Sequence, residues 1–168
     1  LMSFFVFLVA HSQKSVFEVA RSGSVNEIKA LMAINADTIN AVEDSGYLPL
    51  TLACYNGNNE VALFLVNHVK DINGNSKMGT PLMAAVYKND ELVVQALLAM
   101  NVNPNIADAN GTTALHYAIM SRNEAIVKLL IDANADVAFT DKRGNSALDY
   151  GKMTQNQNII NLLKKNKI

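Results

Sequence analysis

Along most of the chain the apolar residues are spaced for helices. In the stretches Asn59–Val66, Glu91–Leu98, Glu124–Ile131 and Gln157–Leu163 they recur three and four residues apart, as with Ile126, Leu129 and Leu130. That spacing predicts amphipathic helices with one buried face. A shorter apolar segment precedes each of them: Gly46–Ala53, Met78–Ala85, Gly111–Ala118 and Gly144–Gly151. The four align through Leu50, Leu82, Leu115 and Leu148, which are separated by 32, 33 and 33 residues. One further copy, Val16–Gly23 followed by Val25–Met32, comes before them. A period of this length held over successive copies predicts a stack of two-helix units, each burying its apolar face against its neighbours.

The short motifs inside the period are specific. Thr80-Pro81-Leu82 and Thr113-Ala114-Leu115-His116 resemble the T-P-L-H signature of ankyrin repeats, and Asn134-Ala135-Asp136-Val137 resembles the G-A-D-V that closes each unit. The resemblance covers about residues 14 to 168. It implies an all-α fold, an ankyrin-repeat solenoid of about five helix-turn-helix units with short β-turn tips. The units fall at approximately 14–41, 42–73, 74–106, 107–139 and 140–168. A fold of this kind says little about biochemical role.

Local chemistry agrees with that reading. Thr80, Thr113 and Ser146 are placed to cap first helices through a side-chain oxygen. Pro81 suits a first helical turn, where its missing N–H has no helical partner. Leu48-Pro49 keeps the proline without the cap, so the second unit is expected to start less firmly. Gly57 and Asn89 stand where a first helix ends in the left-handed region. Asn35, Asn101 and Asn134 occupy the slot that follows the second helix, where the family usually has glycine. Two departures predict irregularity over residues 67–80. Met78 stands at the turn position of Gly46, Gly111 and Gly144, with Gly79 one place late, and the second unit ends Val69-Lys70-Asp71-Ile72 without a glycine-like closure. The last unit, with Gln155, Asn156, Gln157 and Asn158, reads as a polar end cap.

Composition narrows the function. Half of the residues are hydrophobic and 17% are charged, with a formal net charge of -1. That excludes a disordered chain and gives no basic face for nucleic acid. Lys164, Lys165 and Lys167 read as a solvated helix end. The single cysteine, Cys54, forms no internal disulfide and falls at a core position. Residues 1–10 are almost wholly apolar, followed by His11-Ser12-Gln13-Lys14. Ten apolar residues are too few for a stable membrane span. Their length fits the apolar region of a signal peptide, with Ala10 and Ser12 near a cleavage point and a mature start close to Gln13, although the basic leading segment is missing. The expected location is therefore export, periplasmic or secreted. The alternative is a segment that docks on the first repeat of a cytoplasmic protein.

No constellation carries catalysis. His11, His68 and His116 form no ligand pair with each other or with Cys54. His116 takes the family's histidine position, which implies a hydrogen bond between turns. Gly144–Lys152 lacks the spacing and the Ser or Thr of a phosphate loop. Asp71, Asp108, Asp136 and Asp141 recur with the repeat and read as turn residues. No catalytic residue, cofactor or metal is expected.

Binding residues are implied by the resemblance, position by position. In the family they sit near the end of each first helix and on the turn tips. The first row is Arg21, Tyr55, Tyr87, Met120 and Met153, with Lys88 adjoining. The tips include Tyr47, Asn110, Lys142 and Arg143. Tyr55 to Met153 would form a largely apolar stripe on the concave face, the kind of surface that partners use. The expected function is a monomeric, non-enzymatic scaffold that binds a protein partner through this face and the tips. The alternative is an exported accessory protein of a cofactor-containing or redox enzyme, in which Tyr, Met and His116 touch a haem.

Overall fold

The computed structural model describes residues 14–76 and 79–166. Helices come in pairs: α1 (Val16–Ser22) with α2 (Val25–Ile34), α3 (Pro49–Asn56) with α4 (Asn59–Val66), α5 (Pro81–Tyr87) with α6 (Glu91–Ala99), α7 (Ala114–Met120) with α8 (Glu124–Asp132), and α9 (Ala147–Thr154) with α10 (Gln157–Lys165). A 3-10 helix, Ala36–Asn40, follows the first pair. The odd-numbered helices pack on one another in chain order, and so do the even-numbered ones, giving two layers of an all-α solenoid. Among the described residues the only β features are isolated bridges, Ser76 with Gly79, Ala107 with Thr113 and Thr140 with Ser146. The signal or docking segment read from residues 1–13 lies outside the described residues, as do Lys77 and Met78.

Helices this short do not persist alone. They hold because each presents large apolar residues to the next layer or the next unit: Ile28, Leu65, Leu82, Leu97, Leu115, Ile119, Ile126, Leu130 and Ile159 are all fully buried. Ala53, Ala62, Ala85, Ala118 and Ala147 have no exposed surface at all, and their small side chains let neighbouring helices approach. The helix starts are secured locally. Ser15 with Glu18, Ser24 with Glu27 and Ser146 with Asp149 form reciprocal caps. Thr80 Oγ1 accepts from the Met83 N–H at 3.3 Å. Leu48 supplies no side-chain cap, as expected, so α3 enters on Pro49 alone. In α10, Ile159 and Leu163 are buried while the polar Gln157, Asn158 and Asn161 face solvent.

The chain reversals sort the asparagines. Gly57 and Asn89 adopt left-handed conformations at first-helix ends (φ 71° and 55°), and Asn101 and Asn134 do so after second helices (54° and 63°). Asn35 does not. Its φ is -145°, because the first unit runs on into the 3-10 helix, and its Oδ1 caps that helix by accepting from the Asp37 N–H at 3.0 Å. Arg122 and Gln155 take the left-handed slot equivalent to Gly57 although neither residue type favours it (φ 59° and 55°). Other asparagines tie the units together. Asn40, Asn73 and Asn105 each accept, through Oδ1, a backbone N–H of the following repeat: Lys70 at 2.8 Å, Asn103 at 2.8 Å and Asp136 at 2.7 Å. Asn58 Nδ2 reaches back to the Gly23 carbonyl at 2.9 Å.

The irregular junction is resolved differently from the sequence expectation. Gly79 is not late. Ser76 and Gly79 exchange backbone hydrogen bonds (3.0 and 2.9 Å), with Gly79 at φ 80°. Asp108 and Gly111, and Asp141 and Gly144, have the same separation and the same glycine-to-acid-position bond. The residue missing from the third tip is the one after the glycine, so the tip closes one residue sooner. The end of the second unit is irregular as expected, since no residue from 67 to 76 has a positive φ.

Adjacent tips also touch. The Lys142 N–H donates to the Asn110 carbonyl at 3.0 Å, and a Cβ placed on Gly111 (φ 76°) would lie 2.8 Å from that same nitrogen. Gly144 has a similar φ of 82° but nothing within 4 Å. Both Gly111→Ala and Gly144→Ala meet the left-handed penalty of about 1 kcal/mol, and only Gly111→Ala must also move backbone. Urea unfolding should therefore show the larger loss for Gly111→Ala, by at least about 1 kcal/mol. Equal losses would mean that the two tips are not in tight contact.

Candidate functional site

Because equivalent residues recur at the same point of each unit, the ends of the first helices form a row. Tyr87, Met120 and Met153 are exposed to 58%, 40% and 61%, which is high for side chains of this size, and Lys88 beside Tyr87 is exposed too. Tyr55 is half-buried. Its ring stacks on that of Tyr87, centroids 5.5 Å apart and planes within 11°. The two tyrosines occupy the same slot of successive repeats, so the repeat spacing itself sets the stack.

Beneath this row opens a cleft of about 260 Å³, lined by Tyr55, Met83, Ala84, Tyr87, Asp108, Asn110 and Tyr117. Asp108 is held at the tip of the fourth unit, where Oδ1 accepts the N–H groups of Asn110 (2.8 Å) and Thr112 (2.9 Å). Its Oδ2 accepts the Tyr117 hydroxyl at 2.7 Å. Burial and the adjacent carboxylate push the Tyr117 phenol up to about 12, so it remains a donor at neutral pH. The cleft thus presents aromatic faces and one carboxylate.

Of the residues expected to bind, the cleft brings together Tyr55, Tyr87 and Asn110. Met120, Met153 and Lys88 lie outside it on the same helix ends, and Lys142 stands exposed at the last tip. Arg21 is engaged internally, with both of its bonds going to Glu43 at 2.8 and 2.9 Å. Arg143 is engaged as well. Its Nε lies 3.2 Å from Asp141 Oδ2, and its guanidinium donates to the Tyr150 hydroxyl and lies 6.0 Å from the centre of that ring. Tyr47 is half-buried against the core. Asp108 acts as the turn residue expected of it, but the sequence reading assigned no part in a site to it or to Tyr117. The signal was present: an Asp and a Tyr nine residues apart recur as Asp108/Tyr117 and Asp141/Tyr150.

The remaining candidate chemistry is interior. His116 is 1% exposed. Its Nδ1 accepts the Thr113 N–H at 3.1 Å and lies 3.0 Å from Thr113 Oγ1, so Nε2 carries the proton of the neutral ring. Nε2 closes no hydrogen bond of standard geometry, although the nearby Phe139 backbone partly offsets the lowering of the ring's pKa by burial. An imidazole in this position cannot touch a haem at the surface, which corrects the contact imagined for it. Burial pushes the Cys54 thiol upward and keeps it from solvent. Among the described residues, no group of three or more His, Cys, Asp or Glu gathers to hold a metal, and no helix is long and apolar enough to cross a membrane.

Paired short helices in two layers, reversed at glycine-bearing tips, define a helical-repeat protein. The family model described as ankyrin repeats (3 copies) matches residues 16–108 and 82–168. The chain belongs to the ankyrin repeat family. Such repeats are in general protein–protein interaction modules, and the family is generally non-enzymatic. No curated protein matches the chain.

The fifth unit makes an acid-dependence prediction. The Tyr150 hydroxyl, backbone N–H groups of Asn145 and Arg143, and the Arg143 guanidinium hold Asp141 well below the usual carboxylate range. The Ser146 hydroxyl and N–H, with Lys152, hold Asp149 at about 2. A carboxyl lowered by folding adds stability that is complete above its unfolded value, about 4, and is lost as pH falls through its folded value. Below about pH 4 the amides of α9 should therefore lose protection progressively, and carboxyl NMR should show Asp141 protonating after Asp149. Titration of Asp141 near 4 would show that its network is absent in solution.

Proposed function

We propose that this chain is a non-enzymatic scaffold that binds a protein partner across the first-helix face and the adjoining tips. The observation that carries this is the unbroken exposure of Tyr87, Met120 and Met153 at one equivalent slot of three successive repeats, beside the cleft of Tyr55 and Tyr117. Large apolar side chains aligned in this way are costly to leave in water and match what interfaces use as anchors. Methionine adapts to an uneven partner, and tyrosine contributes area with few rotamers to freeze. Lys88 and Lys142 add charge at the rim. The same proposal reads the apolar residues 1–13 as a signal segment of an exported protein, the alternative being a docking segment of a cytoplasmic one. N-terminal sequencing of the protein recovered from its source cells tests that reading.

The test of the surface is a comparison of baits. The parent chain and a Tyr87→Ala/Met120→Ala/Met153→Ala variant are each used to capture partners from source-cell extract, and the recovered partner's affinity is then measured. The variant should bind at least about tenfold more weakly, as expected when exposed anchors are truncated, with an unchanged Tm. Tyr55→Ala should differ from it, lowering Tm because this ring is half-buried and stacked. Retention of the same partner at the same affinity by the triple variant would place the interface elsewhere.

A further inference from the structure

We propose that the cleft lined by Tyr55, Tyr87, Tyr117 and Asp108 receives an arginine side chain of the partner, with the Asp108 carboxylate as its counter-charge. This rests on the reading of the first-helix face as a partner surface and states the chemistry that the surface selects.

The argument comes from the repeat itself. Three tips carry an acid at the same position: Glu43, Asp108 and Asp141. In two of them the carboxylate already holds a guanidinium of this chain. Glu43 takes Arg21 through bonds of 2.8 and 2.9 Å. Asp141 takes Arg143, which also donates to the Tyr150 hydroxyl and lies over the Tyr150 ring, while Tyr150 donates to Asp141 Oδ2 at 2.6 Å. The fourth unit repeats the same Asp–Tyr pair 33 residues earlier, with Tyr117 donating to Asp108 Oδ2 at 2.7 Å. The residue 33 before Arg143, however, is Asn110. Asp108 has no ion pair among the described residues, and the cleft stands open where the neighbouring unit has a guanidinium.

The chemistry of the cleft matches that occupant. Among the described residues of its lining Asp108 is the one charged group, so a cation meets an opposite charge there. The rings of Tyr55, Tyr87 and Tyr117 line the cleft, and aromatic rings attract a cation, a planar guanidinium stacking on them better than an ammonium does. Tyr117 stays protonated, so the second Asp108 oxygen is already shared with a phenol as Asp141 is shared with Tyr150.

The probe is the peptide acetyl-Gly-Arg-Gly-amide, titrated into the intact chain and followed by NMR, with citrulline and lysine versions as controls. Citrulline keeps the shape and loses the charge. The arginine peptide should shift the ring signals of Tyr55, Tyr87 and Tyr117, and should bind at least about tenfold more tightly than the citrulline peptide, with lysine between them. Asp108→Asn keeps the turn acceptor and removes the charge, and should lower arginine binding about tenfold. Asn110→Arg installs at an exposed tip the residue that the fifth unit carries. It should fill the cleft from within and abolish peptide binding while the chain stays folded. Equal binding of arginine and citrulline peptides, no binding by the parent, or undiminished binding by Asn110→Arg would each overturn the assignment. The two readings fail separately. A partner lost by the Tyr87/Met120/Met153 variant but kept by Asn110→Arg leaves the surface standing and removes the arginine.

Discussion

Every helix of the stack is too short to survive alone, so the packing of one repeat on the next is the constraint from which the rest follows. A buried Leu or Ile contributes roughly 1.5–3 kcal/mol by leaving water, and Leu82, Leu97, Leu115 and Leu130 gain this only because a neighbouring unit covers them. The last of the aligned leucines shows the converse. Leu148, in the last unit of the described stack, is only half-buried, whereas Leu50, Leu82 and Leu115 are 1–2% exposed. The alanines at zero exposure set how closely the first helices lie, and that spacing brings the Tyr55 and Tyr87 rings into a stack. Core and surface register therefore have one cause.

Polar contacts between repeats extend the same logic to the backbone. A turn that leaves a helix carries N–H groups with no helical partner, and a hydrogen bond that ties one to a neighbouring repeat contributes about 0.5–1.5 kcal/mol. Asn40, Asn73 and Asn105 satisfy such groups on the following repeat, forming a rung at each of three junctions. Asn89, Asn101 and Asn134 supply left-handed turns, and Asn123 and Asn156 cap second helices. Asparagine is abundant here because one short side chain serves as donor, as acceptor and as a residue tolerant of positive φ.

The parts legible in the sequence were those fixed by the period. Aligned leucines, caps at Thr80 and Ser146, the uncapped start at Leu48 and the polar residues of α10 all followed from residue type and spacing. The parts that were not legible depend on what a neighbour does. Asn35 carries the right residue for a left-handed turn, but the 3-10 helix after it removes the reversal. Arg122 and Gln155 adopt that conformation without the residue type for it, because the flanking helices determine the path. At the third tip, counting back from Thr80 put the glycine late, whereas the hydrogen bonds count forward from Ser76 and place the gap after Gly79. For the site, the repeat positions singled out Tyr55, Tyr87 and Asn110, and the structure has all three lining one cleft. Residue type gave no sign that Arg21 would be engaged by the acid of the next unit's tip, Glu43, or Arg143 by the acid of its own, Asp141.

Those internal ion pairs show how a repeat protein supplies its own controls. Tyr117 and Tyr150 occupy the same slot, each donating to the acid nine residues before it. Yet Tyr150 is 5% exposed and Tyr117 lines an open cleft. Among the residues that differ between acid and phenol are Arg143 in one unit and Asn110 in the other, and only Arg143 supplies a guanidinium to its own acid–phenol pair. Where all units agree, as at the leucines, the residue answers to packing. Where one unit leaves empty what another fills, folding does not require the vacancy, and the fourth unit offers solvent the anionic, aromatic recess that the fifth has closed.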